Sequence, residues 1–160
     1  MAAKPSKVAL RAELIAQLES ALAAASAAHA ATVAGATDPE AKQESDKDTR
    51  AIEQQYLARG QAQRVVELQD ALAELANWSP RRFGEDDAVA LGALVTIDED
   101  DDERMVFVAP VGGGNQLAGG VQVVTPRSPL GALLLGKQTG DEVELKSGAR
   151  ARTLEIVAVT

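Results

Sequence analysis

Val124-Thr125-Pro126-Arg127-Ser128-Pro129-Leu130-Gly131-Ala132-Leu133-Leu134-Leu135-Gly136-Lys137 decides how the second half of this chain folds. Ser128 followed by Pro129 is a helix start, because serine caps free amides and proline is pre-set for the first turn. Leu130, Leu133 and Leu134 fall on one side of that helix and should face a sheet. Gly136 suits a C-cap, and Gly140-Asp141 a turn. Outward from here the signals are β. Residues 121–124 read as a strand before the helix, and 142–145 and 153–159 as strands after it. Further upstream, 90–97 and 104–109 read as strands. The six acids of 98–103 between them read as a solvated hairpin turn, and 112–120 as a mobile glycine-rich connection. Residues 89–160 are therefore expected to form a small α+β domain with a mainly antiparallel sheet.

Before Trp78 the composition changes to Ala, Gln, Leu, Glu and Arg. Ser6 can cap a first helix, in which Leu10, Leu14, Leu18, Leu22, Ala25 and Ala28 recur at spacings of three and four. The alanine-rich run 21–34 keeps helix propensity high with little bulk. Gly35-Ala36-Thr37-Asp38-Pro39 breaks the pattern, with Gly35 as a C-cap and Pro39 in the next first turn. A second helix is expected from about 39 to 77. Val65, Leu68, Leu72 and Leu75 form its heptad seam, and Leu57 and Ile52 extend the apolar face. So short a loop makes the helices antiparallel neighbours. Residues 1–78 thus read as an antiparallel coiled-coil hairpin with its tip near 35–48, and 79–88 as a linker with Pro80 as a helix stop. Helices of roughly thirty to forty residues span about 45–60 Å, a device for reaching something.

Composition excludes several classes of function. There is no cysteine, so disulfides, thiolate metal sites and cysteine nucleophiles are ruled out. His29 is the single histidine, which leaves a histidine zinc site without partners. The net charge of −8 opposes sequence-independent binding to duplex nucleic acid, and no sequence-specific DNA binding is expected. No signal-peptide or membrane-span pattern is seen, so a cytoplasmic location is expected. Residues 131–138 miss a phosphate-binding loop, because three leucines fill its interior and Gln138 stands where a hydroxyl is needed. The acids of 98–103 lack the spacing and glycine of a calcium loop.

The quoted stretch, with Gly140-Asp141-Glu142-Val143 and the closing Leu154-Glu155-Ile156-Val157-Ala158-Val159, resembles the C-terminal signature of the Gre transcript-cleavage factors of bacteria. The preceding hairpin has the same order and similar length. The resemblance implies an FKBP-like fold for residues 89–160. It implies bacterial RNA polymerase as the partner, docked at the rim of the secondary channel while the hairpin enters it. The docking surface is then expected in or beside Pro126, Ser128, Pro129, Leu130, Gly131, Leu134 and Lys137. Prolyl isomerase activity, a rival on such a fold, is disfavoured: beyond Trp78 and Phe83 only Phe107 is available to line an aromatic pocket.

The resemblance also assigns chemistry to the tip. Gre factors carry an Asp and a Glu three apart there, in an Asp-Leu-Ser-Glu-Asn type motif. With Arg64-Val65-Val66-Glu67-Leu68 matched to the family's second helix, Glu44 falls at the Asp, Lys47 at the Glu and Asp48 at the Asn. The motif is not intact. The expected catalytic and metal-handling carboxylates are Glu44 with Asp48 or Asp46, acting transiently on Mg²⁺ in the polymerase active centre, with no cofactor of the chain's own. The polymerase supplies the active site, so the chain itself is not an enzyme, and the RNA 3′ end is a further expected contact. Solubility of the tip and helix N-terminal preference account for the same acids without any chemistry. Three functions stay open: a cleavage-stimulating elongation factor, a cleavage-inactive channel modulator with an altered tip, and a coiled-coil interaction protein unrelated to transcription.

Overall fold

The computed structural model of the chain describes residues 3–36 and 47–160, the side chains of 36, 47 and 48 excepted. Helix α1 spans Lys7–Ala36 and α2 spans Lys47–Ala76. Each has 30 residues, which corresponds to about 45 Å of length. Ser6 starts α1 as expected, its hydroxyl accepting the Ala9 N–H at 3.4 Å. The helix runs one residue past Gly35; glycine is tolerated in a fraying last turn. Among the described residues no helix is long and apolar enough to cross a membrane.

The chain divides into two compact units, Ala16–Ala73 and Met1–Ile15 with Glu74–Thr160. In the first, Leu18 and Leu68 are buried at the helical seam. The apolar face expected to continue through Leu57 and Ile52 does not close: they are 54% and 52% exposed. The alanine run of α1 explains this, since methyl groups cannot cover larger side chains.

The second unit is built on a six-stranded sheet. Its strands are β1 (Leu94–Glu99), β2 (Asp102–Val108), β3 (Gln116–Leu117), β4 (Val121–Val124), β5 (Glu142–Ser147) and β6 (Arg150–Val159). They lie in the order β3-β4-β2-β1-β6-β5. All pairings are antiparallel except β2 with β4. Helix α3 (Pro129–Leu134) follows β4. Val95, Ile97, Val106, Val108, Val124, Leu154 and Ile156 form one core with Leu130 and Leu134 of this helix. The alternate positions Leu94, Phe107, Val121 and Val123 are buried as well, and the Trp78 ring lies 5.9 Å from that of Phe107. Burial on both faces explains why these strands read as apolar runs rather than alternating ones.

Two loops expected from the sequence are more regular than expected. In the acidic run only Asp100 and Asp101 turn, with φ of 54° and 66°; β1 and β2 stay in register out to Glu99 opposite Asp102. Two residues of positive φ make a type I′ turn, whose twist matches the strands and lets the ladder continue despite the poor strand propensity of the acids. The glycine-rich 112–120 stretch holds β3 and a 3₁₀ turn, Ala118–Gly120. The Ala118 N–H donates to both carboxylate oxygens of Glu13, at 2.9 and 3.0 Å. A β-carbon on Gly112 would lie 2.7 Å from Leu14 Cδ1. Packing and capping thus order a segment whose composition suggests mobility.

The start of α1 is tied down by cations. The Lys7 ammonium donates to the carbonyls of Arg81, Gly92 (3.0 Å) and Thr160 (3.2 Å). It also lies 4.7 Å from the centre of the Phe83 ring, which Arg81 covers at 3.8 Å. The expected linker is therefore held against the sheet unit by cation–π and carbonyl contacts.

Candidate functional site

Of the expected tip carboxylates, Glu44 and Asp46 lie outside the described residues, as do Asp38 and Glu40. Asp48 belongs to the first turn of α2, its side chain outside what is described. Among the described residues no three carboxylate or imidazole groups converge on a common point where a metal ion could sit.

The corner before α3 is defined in detail. Ser128 is its N-cap: the hydroxyl donates to the Thr125 carbonyl at 2.8 Å and accepts the Gly131 N–H at 3.1 Å. The Ser128 N–H also reaches Thr125 O, at 3.1 Å. Three bonds thus fold 125–131 into one tight corner. Gly131 is required by it, because a β-carbon there would lie 1.9 Å from Thr125 O. After the helix, Gly136 adopts the left-handed φ of 79° expected of a glycine that ends a helix, while its N–H leaves the helix and donates to Val89 O at 2.8 Å.

The seven residues expected at the docking surface separate by exposure. Leu130, Gly131 and Leu134 are buried and support the corner from beneath, because a four-residue spacing turns both leucines to the sheet. Pro126 and Ser128 are half-buried, and Pro129 and Lys137 are exposed. Only these four are open to solvent at the outer surface; Leu130 is reached only through the cavity beside them.

Beside them lies a cavity of about 220 Å³ that the sequence reading missed. Arg104, Gln122, Val124, Ser128, Pro129, Leu130, Leu145 and Arg152 line it. The Arg104 Nη1 donates to Gln122 Oε1 at 3.2 Å. Arg152 Nη1 lies 3.4 Å from Glu99. Strand alternation puts Arg104, Gln122 and Arg152 on the same face as Val106, Val124 and Leu154. That signal is present in the sequence. Using it requires the sheet order, above all the parallel pairing of β2 with β4.

Residues 84–160 match the family model described as transcription elongation factor, GreA/GreB, C-term. A curated relative, transcription elongation factor GreA of Sulfurovum sp. (strain NBC37-1), is 29% identical over 93 residues, or 58% of this chain and 56% of that protein. The match thus spans little more than half of the curated relative's length. Among solved structures, the GreA/GreB elongation factor from Nitrosomonas europaea is 24% identical, covering 58% of this chain and 78% of that one, with a TM-score of 0.39. The GreA factor homolog 1 (Gfh1) protein of Thermus thermophilus is 20% identical, covering 94% of each chain, with a TM-score of 0.40.

Proposed function

Because this chain belongs to the Gre family of transcription elongation factors, we propose that it binds RNA polymerase through its C-terminal domain and stimulates cleavage of backtracked RNA with the tip of its helical hairpin. The observation that carries this reading is the joining of a GreA/GreB C-terminal domain over 84–160 to two 30-residue helices. A pair of helices about 45 Å long can carry side chains to a reaction centre that the C-terminal domain never touches. The secondary channel of the polymerase is the route proposed, with its rim as the docking site. The polymerase supplies the active site.

At the tip, Glu44 with Asp48 or Asp46 would hold the second Mg²⁺ of the polymerase centre. Carboxylate oxygens fit that ion, which takes one or two of them and keeps several waters. When bound there it orients and activates the hydrolytic water. The chain's own contribution is to bring the carboxylates and the RNA 3′ end together. Lys47 favours a second reading. A cation at the position of the family's glutamate weakens the local attraction for a divalent ion, so the same architecture would occupy the channel as a modulator without supporting cleavage.

RNA cleavage by backtracked polymerase separates the two readings, with and without the protein and its Glu44→Ala/Asp48→Ala double variant. Acceleration that the double variant loses supports cleavage. No acceleration, with competition against an authentic Gre factor, supports the modulator. Absence of both acceleration and competition removes the polymerase assignment for the enzyme tested.

A further inference from the structure

We propose that the cavity between β2, β4, β6 and the start of α3 is a carboxylate-binding pocket, and that an aspartate or glutamate side chain of the protein partner fills it. Its identification with the polymerase rests on the function proposed above. The pocket itself rests on three local observations.

The charges inside it do not balance. Arg104 and Arg152 both line the cavity, and Glu99 is the carboxylate paired with Arg152. Glu99 forms no ion pair with Arg104. Arg104 is instead held by the neutral Gln122 amide, while its Nε is enclosed with no acceptor among the described residues. Arg104 is half-buried as a residue, but this one N–H is under-compensated, and burying a polar atom without a partner is costly. Arg127 precedes the lining residue Ser128, and Arg150 lies two residues before Arg152 on β6, so two further cations are close in sequence to the lining. Asp102, exposed, is the remaining acid on that strand face. A chain of net charge −8 therefore gathers positive charge at this point.

Size and lining select the ligand. About 220 Å³ is below the usual range of about 300–1,000 Å³ for small-molecule sites. It suits one side chain. Val124, Leu130, Leu145 and Pro129 supply apolar walls for the methylenes, and the guanidiniums bind the terminal oxygens. The Ser128 hydroxyl is committed to the corner by its bonds to Thr125 and Gly131, so the arginines carry the recognition. The rim also includes exposed Pro129, so a partner docking beside this residue would place its own surface over the opening.

The test begins with the full chain alone, followed by amide NMR titration with N-acetylglutamate α-amide. Saturable shifts at Gln122 and Ser128 are expected, absent with the neutral glutamine analogue. Arg104→Gln should weaken binding by about tenfold or more while leaving the rest of the spectrum unchanged. Arg152→Gln gives a second reading should the first variant not fold. Equal response to the glutamine analogue, or stronger saturation by inorganic phosphate at matched ionic strength, overturns carboxylate recognition. Polymerase binding is then measured with the same variants. Loss of affinity in step with the model compound supports the assigned partner. Undiminished polymerase affinity in variants that no longer bind the glutamate compound overturns that assignment but leaves the pocket. Absence of polymerase binding by the parent chain removes the functional reading, while the titration still decides the pocket.

Discussion

Arg11 closes the C-terminal end of α2: its guanidinium donates to the Leu75 carbonyl from Nε at 3.1 Å and from Nη2 at 2.7 Å. The Nε also reaches Trp78 O at 2.7 Å. The last carbonyls of a helix have no intrahelical donor, and a cation there also meets the negative end of the helix dipole. Arg11→Ala should lower stability by about 1.5–3 kcal/mol, the scale of hydrogen bonds to a charged group, because the acceptors left behind are part-buried. Arg11→Lys should recover only part, because lysine has no donor at the Nε position, which here reaches both Leu75 O and Trp78 O. Denaturant unfolding followed by fluorescence of Trp78, the single tryptophan, measures both. Equal stability of all three proteins would show that this cap is dispensable.

Gly131 and Gly136 bracket α3 but should respond differently to alanine. At Gly131 the new methyl would meet a backbone carbonyl at 1.9 Å, and that carbonyl already anchors Ser128. Backbone must move, so a loss of about 3 kcal/mol or more is expected. At Gly136 there is open space and a φ of +79°, so Gly136→Ala should cost only about 1–2 kcal/mol of conformational strain. Comparable losses would mean that the corner can relax, and that the close approach is not what selects glycine.

What was legible in the sequence follows from how local each signal is. Ser6, Ser128-Pro129 and Gly136 mark helix ends by chemistry within four residues, and each behaves as read. The strands were found to within a few residues because buried valines and leucines cluster in them. The acidic run misled, because Asp and Glu are poor strand formers on their own and only the paired ladder reveals a two-residue turn. The cavity was invisible for a different reason. Arg104, Gln122 and Arg152 are separated by tens of residues, and only the sheet order brings them together. Leu130, Gly131 and Leu134 were grouped with the docking surface by resemblance, whereas helical periodicity sends them inward. The tip carboxylates of 38–46 lie outside the described residues, and their assignment still rests on resemblance.

Lys7 should give the stability curve a basic limb. Burial, and secondly the charge of Arg81, hold its ammonium below the usual 10.5. The unfolded chain then binds this proton more tightly than the folded one. By linkage, stability rises with pH as the solution passes upward through the folded value towards 10.5, and levels off above it. Urea unfolding of the parent and of Lys7→Gln across that basic window tests this. The parent's stability relative to the variant should climb as pH rises. A gap that narrows instead would mean the three carbonyls and the Phe83 ring outweigh burial and raise the affinity for the proton.

The Asp100-Asp101 turn stores strain that a substitution can release. Both residues sit at positive φ, where L side chains other than Asn and Asp are rare and glycine is unstrained. The turn also closes a hairpin in which Glu99 faces Asp102 and Asp98 faces Glu103, and like charges directly opposite one another are unfavourable. Two compensations are visible: Asp98 Oδ1 accepts the Asp101 N–H at 2.9 Å, and Arg152 pairs with Glu99. Asp100→Asn with Asp101→Gly supplies the preferred type I′ pair and removes two negative charges while keeping the Asp98 bond. A gain of about 1–2 kcal/mol is expected at low salt. Part of it should vanish at high salt, since screening weakens the repulsion in the parent. If the gain is independent of salt, backbone strain is the whole effect. If there is no gain at any salt concentration, the acids of this turn are already compensated by their local hydrogen bonding.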